Sequence, residues 1–290
     1  MFRKTSKKVL VFGLSAGFVF LMACQKTTAP TFDPNIIVNL PVPKYSFETT
    51  PNWGDEFDYT GLPDAKKWGY DIGGSGWGNN ELQYYTNSSK NARVENGKLI
   101  IEALKENYSG KNYTSARLLT KNKADFSYGK FVIKAKLPEG VGTWPAIWLL
   151  ATNKSYGTEI WPDNGEIDIM EEVGFEPNVI YGTVHTKSFN HILGTQKSAN
   201  MKIPTAISEF HEYSLEWKPN NIKILIDDKQ VLNFDNSQDG WSQWPFDKPF
   251  HLLLNLAIGG NWGGLRGVND AIFPQRLEVE YVRVYGLKKE

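Results

Sequence analysis

Four carboxylates lie within seven consecutive positions of the sequence, at Glu166, Asp168, Glu171 and Glu172, interleaved with large apolar residues. Two carboxyl groups held near one bond can act as a nucleophile and as a general acid/base. The alternative is a half-buried strand whose acids simply face water. Solvated faces usually mix both signs of charge, however, and like charges on one strand face repel each other. The segment therefore indicates a cluster of carboxylates that does chemistry.

Strand geometry decides which of these acids can work together. Side chains alternate with period two, so Glu166 and Asp168 share a face, to which a regular strand would add Glu172. At about 3.3 Å per residue, Glu166 and Glu172 would be roughly 20 Å apart at Cα, too far to act on one bond. A β-bulge at Met170 would bring Glu171 to that face instead, about 13 Å from Glu166. Long side chains leaning over a concave sheet can close this gap to the ~5 Å of a retaining glycosidase.

The pattern Glu-x-Asp-x-x-Glu within GEIDIME resembles the active-site strand of glycoside hydrolase family 16 in its bulged form. That branch includes the laminarinases and related endo-β-1,3-glucanases. The resemblance implies that Glu166 is the nucleophile, that Asp168 assists, and that Glu171 is the acid/base. Without the bulge, Glu172 would be the acid. A non-catalytic glycan-binding protein on the same fold is an alternative, although such a protein would usually have lost one of the three acids.

Further segments follow the order of this family along the chain. They are WGDEFD (53–58), GWGNNELQYYT (76–86), TSARL (114–118), YGKF (128–131), GTWPAIW (142–148), GTVH (182–185), FHLLLNLAIGGNWGG (250–264) and VEYVRV (279–284). The resemblance implies a retaining endo-β-glucanase that acts on β-1,3-glucans, on mixed-linkage β-1,3/1,4-glucans, or on both. A transglycosylase, or a relative of the agarase or carrageenase type, would use the same carboxylates. Sulfated galactans would favour a basic cleft, and no Lys/Arg cluster lies near the motif.

Aromatic residues make up 13% of the chain and include 10 Trp, a content that suits a groove in which sugar rings stack on aromatic faces. Core packing is the alternative for each Trp, above all for Trp148. The candidate platforms for sugar rings are Trp77, Trp144, Trp148, Trp161 and Trp262. Trp144 and Trp148 are four residues apart, so a strand would place them on one face.

Polar candidates accompany these aromatics. Asn79 and Arg117 lie amid apolar neighbours and are predicted to donate to sugar hydroxyls, whereas Asn255 could serve backbone groups alone. The family pattern implies that His185 hydrogen-bonds the acid/base region, and the other three His are predicted to be structural.

No cofactor is predicted, and the four His and the single Cys do not form a zinc-ligand spacing. Many relatives carry a structural calcium ion on the convex side, held partly by a carboxylate of the last strand. This chain has Glu280 at that position, where Asp is usual.

The elements that position these residues read as strands. Gly, Asn and Pro recur about every ten residues, a spacing typical of an all-β sandwich. The segment 130–137 alternates apolar and charged residues, 222–226 and 230–234 read as a hairpin, and 277–285 as a long strand. We therefore predict one domain over 45–288, a two-sheet antiparallel sandwich of the jelly-roll, concanavalin-like type with a concave cleft.

The N-terminal residues 1–23 have the basic and apolar regions of a signal peptide, and they end at Cys24, the only Cys. The segment around Cys24 resembles a bacterial lipobox, which implies lipidation. Residues 24–44, rich in Thr, Pro and Asn, are predicted to be an extended tether. These features predict an exported lipoprotein on a bacterial membrane, in contact with the membrane only through its lipid. A balance of 32 basic against 32 acidic residues offers nothing to nucleic acid, and a monomer that binds β-glucan is expected.

Overall fold

The computed structural model describes residues 43–290. The predicted signal peptide, Cys24 and most of the predicted tether lie outside the described residues. Within 43–290 the only helical segment is a 3-10 turn, Asp270–Ile272. No helix in this part of the chain is long and apolar enough to cross a membrane.

The rest of the fold consists of strands joined by turns and loops. In chain order the strands are β1 (Tyr45–Phe47), β2 (Trp53–Asp55), β3 (Gly69–Asp71), β4 (Gln83–Tyr85), β5 (Ala92–Glu95), β6 (Lys98–Tyr108), β7 (Lys111–Ser115), β8 (Arg117–Leu119), β9 (Gly129–Lys136), β10 (Thr143–Ala151), β11 (Glu166–Glu171), β12 (Val179–His185), β13 (Lys197–Lys202), β14 (His211–Lys218), β15 (Asn221–Ile226), β16 (Lys229–Asp235), β17 (Phe250–Ile258), β18 (Gln275–Tyr285) and β19 (Leu287–Lys289).

Two large sheets form the sandwich. The seven-stranded sheet has the order β13-β12-β11-β10-β17-β8-β3, and the ten-stranded sheet runs β16-β15-β14-β9-β18-β6-β7-β4 with β2 and β5 paired at its side. β1 and β19 form a separate two-stranded ribbon. The pairs are antiparallel except β4 with β7, which is parallel. The predicted antiparallel sandwich is confirmed with this one exception, which the long connection between β4 and β7, including β5 and β6, permits.

The predicted strands and the hairpin are confirmed. In β9 the side chains of Phe131, Ile133 and Ala135 are fully buried, as the alternation requires. β15 and β16 form the hairpin through Asp227 and Asp228, both with positive φ (46° and 61°). Such a two-residue turn matches the right-handed twist of the strands.

The hydrophobic core lies between the two large sheets. Residues of β9, β14 and β15 on one side and of β10, β11 and β17 on the other belong to a single buried cluster. Burying each large aliphatic or aromatic side chain contributes about 1.5–3 kcal/mol. Because the core takes one face of β11, the opposite face of that strand is left to carry its acids.

Candidate active site

Strand β11 contains the predicted bulge. Between Asp168 and Glu171 its register with β12 shifts, so that Ile169 and Met170 together oppose the single residue Gly182. Both bulge side chains are fully buried. A side chain at Gly182 would meet Ile224 of the other sheet, since a Cβ there would lie 2.9 Å from its Cγ2. The two adjacent inward side chains reset the alternation and turn Glu171 to the face that carries Glu166 and Asp168.

We call this face of the seven-stranded sheet the carboxylate face, defined by Glu166, Asp168 and Glu171. The neighbouring strand β10 contributes the two tryptophans that were predicted to share a face. The indole Nε1 of Trp144 donates a hydrogen bond to Glu171 Oε1 at 3.0 Å. This contact holds the carboxyl of Glu171 in place and leaves its second oxygen for chemistry.

Core packing, the alternative for Trp148, is not what the structure shows. Its Cα partner is Asp168, and it is half-buried on the carboxylate face. Its Nε1 donates to Asn255 Oδ1 on β17 at 2.7 Å. The buried Asn255 therefore orients a tryptophan of this face, a role that its position within LLLN left open.

Burial raises the pKa of all three carboxyls, because a low-dielectric site disfavours charge. Repulsion from Glu171 raises the pKa of Glu166 further, and repulsion from both glutamates raises that of Asp168. The positive charge of Arg117 and a hydrogen bond from Trp161 act the other way, and they act on Glu166. A hydrogen bond from Trp144 likewise favours the ionised form of Glu171. Because the pKa values of both glutamates are raised, one of them can be ionised near neutral pH while the other keeps its proton. One carboxylate and one carboxylic acid on the same face make a nucleophile and a proton donor.

His185 lies at the end of β12, where its Cα partner is Glu166. Its Nε2 is 3.4 Å from Asp168 Oδ2 and 3.7 Å from Glu166 Oε1. The prediction that it meets the acid/base region is therefore wrong, since antiparallel pairing with β11 brings it to the nucleophile. Burial lowers the pKa of His185 to about 4, so the imidazole is neutral at neutral pH.

His191 was predicted to be structural and instead lies at this site. Its ring packs on Trp161 at 4.9 Å and meets the ring of His185 edge-on at 5.3 Å. Trp161 also contacts His185, at 6.0 Å between ring centroids. The loop between β12 and β13 brings His191 here, and only its nearness to His185 in sequence could have suggested it.

The other two histidines are structural, as predicted. His211 Nδ1 lies 2.6 Å from Asp227 Oδ2, and His251 Nδ1 lies 3.3 Å from the Thr152 hydroxyl.

Arg117 is held more tightly than a free sugar-hydroxyl donor would be. Its guanidinium lies 5.0 Å from the ring centroid of Trp77 and 4.7 Å from that of Trp148, and its Nε is 3.0 Å from Asp71 Oδ2. Two cation–π contacts and an ion pair restrain the group. Arg117 thereby orients two of the predicted platforms and supplies the positive charge that favours ionised Glu166.

The segment around Asn79 contains a further buried acid, Glu81, which was not among the predicted site residues. Glu81 is buried and accepts hydrogen bonds from Gln83 Nε2 at 2.6 Å and from the Tyr85 hydroxyl at 3.2 Å. The side chain of Asn79 hydrogen-bonds the same carboxylate. The backbone carbonyl of Asn79 accepts a hydrogen bond from Asn261 N at 2.7 Å. An acid in a run of polar and aromatic residues was the available signal.

Trp262 completes the aromatic border of the carboxylate face. It meets Trp144 edge-on at 5.7 Å and Tyr181 at 5.0 Å. Tyr181 is the Cα partner of Glu171. Trp144, Tyr181 and Trp262 therefore surround Glu171, whereas Trp161 and the two histidines surround Glu166.

Glu280, at the position where calcium-binding relatives usually have Asp, forms an ion pair with Lys134 (Nζ–Oε2 3.0 Å). Within residues 43–290, the one group of three or more acidic or His side chains close enough to share an ion is Glu166, Asp168 and His185. The pairing with Lys134 already neutralises the Glu280 carboxylate.

This chain resembles a known protein family over most of its length. The family model described as glycosyl hydrolases family 16 matches residues 79–282. A β-glucanase of Rhodothermus marinus is 56% identical over 239 residues, which cover 80% of this chain and 84% of that protein.

Two solved structures are similar throughout the domain. The laminarinase of Rhodothermus marinus is 53% identical with a TM-score of 0.82, and the match covers 85% of this chain and 99% of that one. A mutant of SCLam, a non-specific endo-β-1,3(4)-glucanase of family 16, is 45% identical with a TM-score of 0.78, over 84% of this chain and 99% of that one. That mutant holds 1,3-β-D-cellobiosyl-glucose at its active site.

Proposed function

This chain belongs to glycoside hydrolase family 16, and on that premise we propose that it is a retaining endo-β-glucanase acting on β-1,3- and mixed-linkage β-1,3/1,4-glucans. The observation that carries the proposal is the bulge in β11, which gathers Glu166, Asp168 and Glu171 on one face, with Asp168 buried and the two glutamates partly exposed. Without the bulge, the side chain of Glu171 would point into the core instead.

The double displacement assigns one task to each acid in each step. Glu166 attacks the anomeric carbon and forms a glycosyl ester, while Glu171 gives its proton to the departing glycosidic oxygen. Glu171, now ionised, takes a proton from water. That water attacks the anomeric carbon and releases Glu166 as a carboxylate. Two inversions at one carbon return the β configuration.

Asp168 and His185 act on Glu166 rather than on the substrate. Asp168 lies between the two glutamates along β11 and is buried, and the neutral imidazole of His185 contacts both Asp168 and Glu166. A neutral His can donate a hydrogen bond without drawing a proton from the acids. These two residues are therefore expected to orient the nucleophile.

The substrate class follows from the walls of the site. Trp144, Trp148, Trp161 and Trp262 offer aromatic faces to neutral pyranose rings. The cation of Arg117 is taken up by Asp71 and two indoles, so it offers little to a sulfate group. The named β-glucanase and laminarinase relatives point the same way.

Product sizing tests the proposal. We expect short oligosaccharides from laminarin and from mixed-linkage β-glucan, and none from agarose or carrageenan. Proton NMR should detect the β-anomer as the first product. Binding of laminarin without release of reducing ends would contradict the proposal and favour a glycan-binding protein. Products longer than the substrate with an added sugar acceptor would favour a transglycosylase.

We further propose that the enzyme is a monomer held on a bacterial membrane through a lipidated Cys24. The signal-peptide and lipobox pattern of residues 1–24 supports this, and the acids of the site all come from one chain. The variant Cys24→Ala is expected to move the enzyme from the membrane fraction to the soluble fraction with its glucanase activity intact. Unchanged partitioning would contradict the anchor.

A further inference from the structure

A second groove lies on the loops that follow β10 and β16. It encloses about 280 Å³, close to the lower end of the range of small-molecule pockets. Its lining residues include Tyr156, Asn236, Gln238, Trp241, Trp244 and Asp247. None of them contributes to the site built around Glu166 and Glu171. The function proposed above therefore leaves this groove without a role.

An ordered aromatic pair forms one wall of the groove. The rings of Tyr156 and Trp241 stack with centroids 5.6 Å apart and planes only 2° from parallel. The Tyr156 hydroxyl donates to the carboxylate of Asp247, at 2.8 Å to Oδ1. Lys248 lies over the ring of Tyr156 at 5.3 Å and pairs with Asp247 at 3.1 Å. Tyr156 is thus fixed from several sides, and it fixes the plane of Trp241.

The backbone also holds Trp241 in place. In the turn that carries it, the backbone N–H groups of Gln243 and Trp244 both donate to Gly240 O, at 3.1 and 3.0 Å. Trp241 nevertheless leaves 37% of its surface exposed. A large aromatic side chain held rigid but open to water forms a preorganised platform, because little entropy is lost when a ligand stacks on it.

The polar groups of the groove suit an uncharged ligand. The charge of Asp247 is balanced by Lys248. The exposed Gln238 contributes an amide, which can both donate to and accept from hydroxyl groups. The Asn236 amide instead holds the loop, since its Nδ2 donates to Pro219 O at 3.2 Å and its Oδ1 accepts from Gln238 N at 2.8 Å. On the inner wall, the Nε1 of the buried Trp244 has no hydrogen-bond acceptor within residues 43–290. A water or a hydroxyl group at the base of the groove would supply one.

We propose that this groove is a second, non-catalytic binding site for a β-glucan chain, with a pyranose ring stacked on Trp241. The identity of the glycan rests on the proposed function, whereas the site itself rests on the Trp241 platform and the Gln238 amide. A polymer held at a second point raises the effective concentration of its other segments at the cleft. The loops of the groove are also linked to the cleft. Tyr156 shares the β10–β11 loop with Trp161, and in the β12–β13 loop Ser188 N donates to Ser242 O at 2.8 Å.

The test separates binding at the groove from hydrolysis at the cleft. Trp241→Ala removes the platform, and Trp241→Tyr keeps an aromatic face. Tyr108→Ala removes an aromatic residue elsewhere that is more exposed, at 46% against 37% for Trp241. Each variant is made in the full chain and also with Glu166→Gln, so that depletion onto insoluble β-1,3-glucan can be measured without hydrolysis. Thermal melting checks that each protein is folded. The kcat/KM on an aryl β-laminaribioside, which is too short to reach both sites, reports on the cleft alone.

Trp241→Ala is expected to weaken binding to the insoluble glucan roughly threefold to tenfold, the value of one aromatic stacking contact. Trp241→Tyr should retain most of the binding, and Tyr108→Ala should match the parent. The kcat/KM on the aryl glycoside should be unchanged in all three. Equal binding by Trp241→Ala and its parent would overturn the site, as would an equal loss in Tyr108→Ala or a parallel loss on the aryl glycoside.

Failure of the proposed function would look different. The parent enzyme would then release no products from any β-glucan. The depletion assay alone would then show whether the groove binds glucan. Loss of glucan binding in Trp241→Ala would still support it, and unchanged binding or no binding by the parent would refute it.

Discussion

Two adjacent glutamates at the end of β11, its last residue Glu171 and the following residue Glu172, have different surroundings. Glu171 faces the cleft, where Trp144 donates to one of its oxygens at 3.0 Å and Glu166 and Asp168 share its face. Glu172 points between the sheets and is fully buried. Its Oε1 accepts from the backbone N–H of Asn178 at 2.6 Å, and its charge acts on the buried Tyr213 of the opposite sheet.

Burial raises the pKa of both glutamates, to about 7 for Glu171 and to about 8 for Glu172. A raised pKa therefore does not distinguish a catalytic acid from a structural one. The difference is one of access, because Glu171 can reach a substrate that Glu166 also reaches. Glu172 instead anchors the turn between β11 and β12, where Asn178 has a positive φ of 67°.

Removing the acids of the cleft face should have the largest effect. Glu166→Ser and Glu171→Ala are each expected to lower kcat on β-glucan by about 10³-fold or more, since each carboxyl serves both steps. On an aryl glycoside whose leaving group needs no proton, Glu171→Ala should still form the glycosyl ester. Added azide should then restore turnover and give the β-azide.

Glu166→Ser serves as the comparison in the azide experiment. Lacking the nucleophile, it should give the α-azide or no product. Product stereochemistry by NMR separates the two variants. A β-azide from Glu166→Ser would reverse the assignment of nucleophile and acid/base.

A smaller effect should follow from removing the hydrogen bond to Glu171. The Trp144 indole favours the ionised form and so lowers the pKa of Glu171. Trp144→Phe should therefore raise that pKa and move the alkaline limb of the kcat/KM profile to higher pH, by up to about one unit. Trp148→Phe is the matched control, because its indole donates to Asn255 instead. A limb that stays in place in Trp144→Phe would show that another group sets it.

Replacing Glu172, on the core side, should change the activity least and the pH dependence of stability most. Glu172→Gln keeps an acceptor for Asn178, so kcat/KM at the optimum is expected to remain within about twofold of wild type. The pKa of Glu172 is about 8 when folded against a usual 4.5. The native state therefore holds the proton more tightly, and wild-type stability falls as pH rises from 4.5 through 8.

The glutamine variant should lose less stability over that pH range, by at most about 1.4 kcal/mol per pH unit. Urea unfolding at pH 5 and pH 8 measures the difference. Glu139→Gln, at an exposed site, is the control and should follow wild type. A large loss of activity in Glu172→Gln, with Glu171→Ala active, would exchange the roles of the two glutamates.

Local patterns predicted the parts of the fold that depend on neighbours in sequence. Alternation in the segment 130–137 gave the buried face of β9, and the two aspartates at 227 and 228 marked the turn of the hairpin. The spacing of Glu166, Asp168 and Glu171 predicted the bulge, because only a bulge brings all three to one face. The parallel pairing of β4 with β7 escaped prediction, since it depends on a connection that crosses other strands.

The sequence by itself determined which acids of β11 share a face, because period two and one extra residue are properties of a single strand. Tertiary structure alone decided what surrounds them. Antiparallel register brought His185 to Glu166, and a loop brought His191 onto Trp161. Contacts between residues far apart in the chain are set by sheet order and packing, which no local pattern encodes.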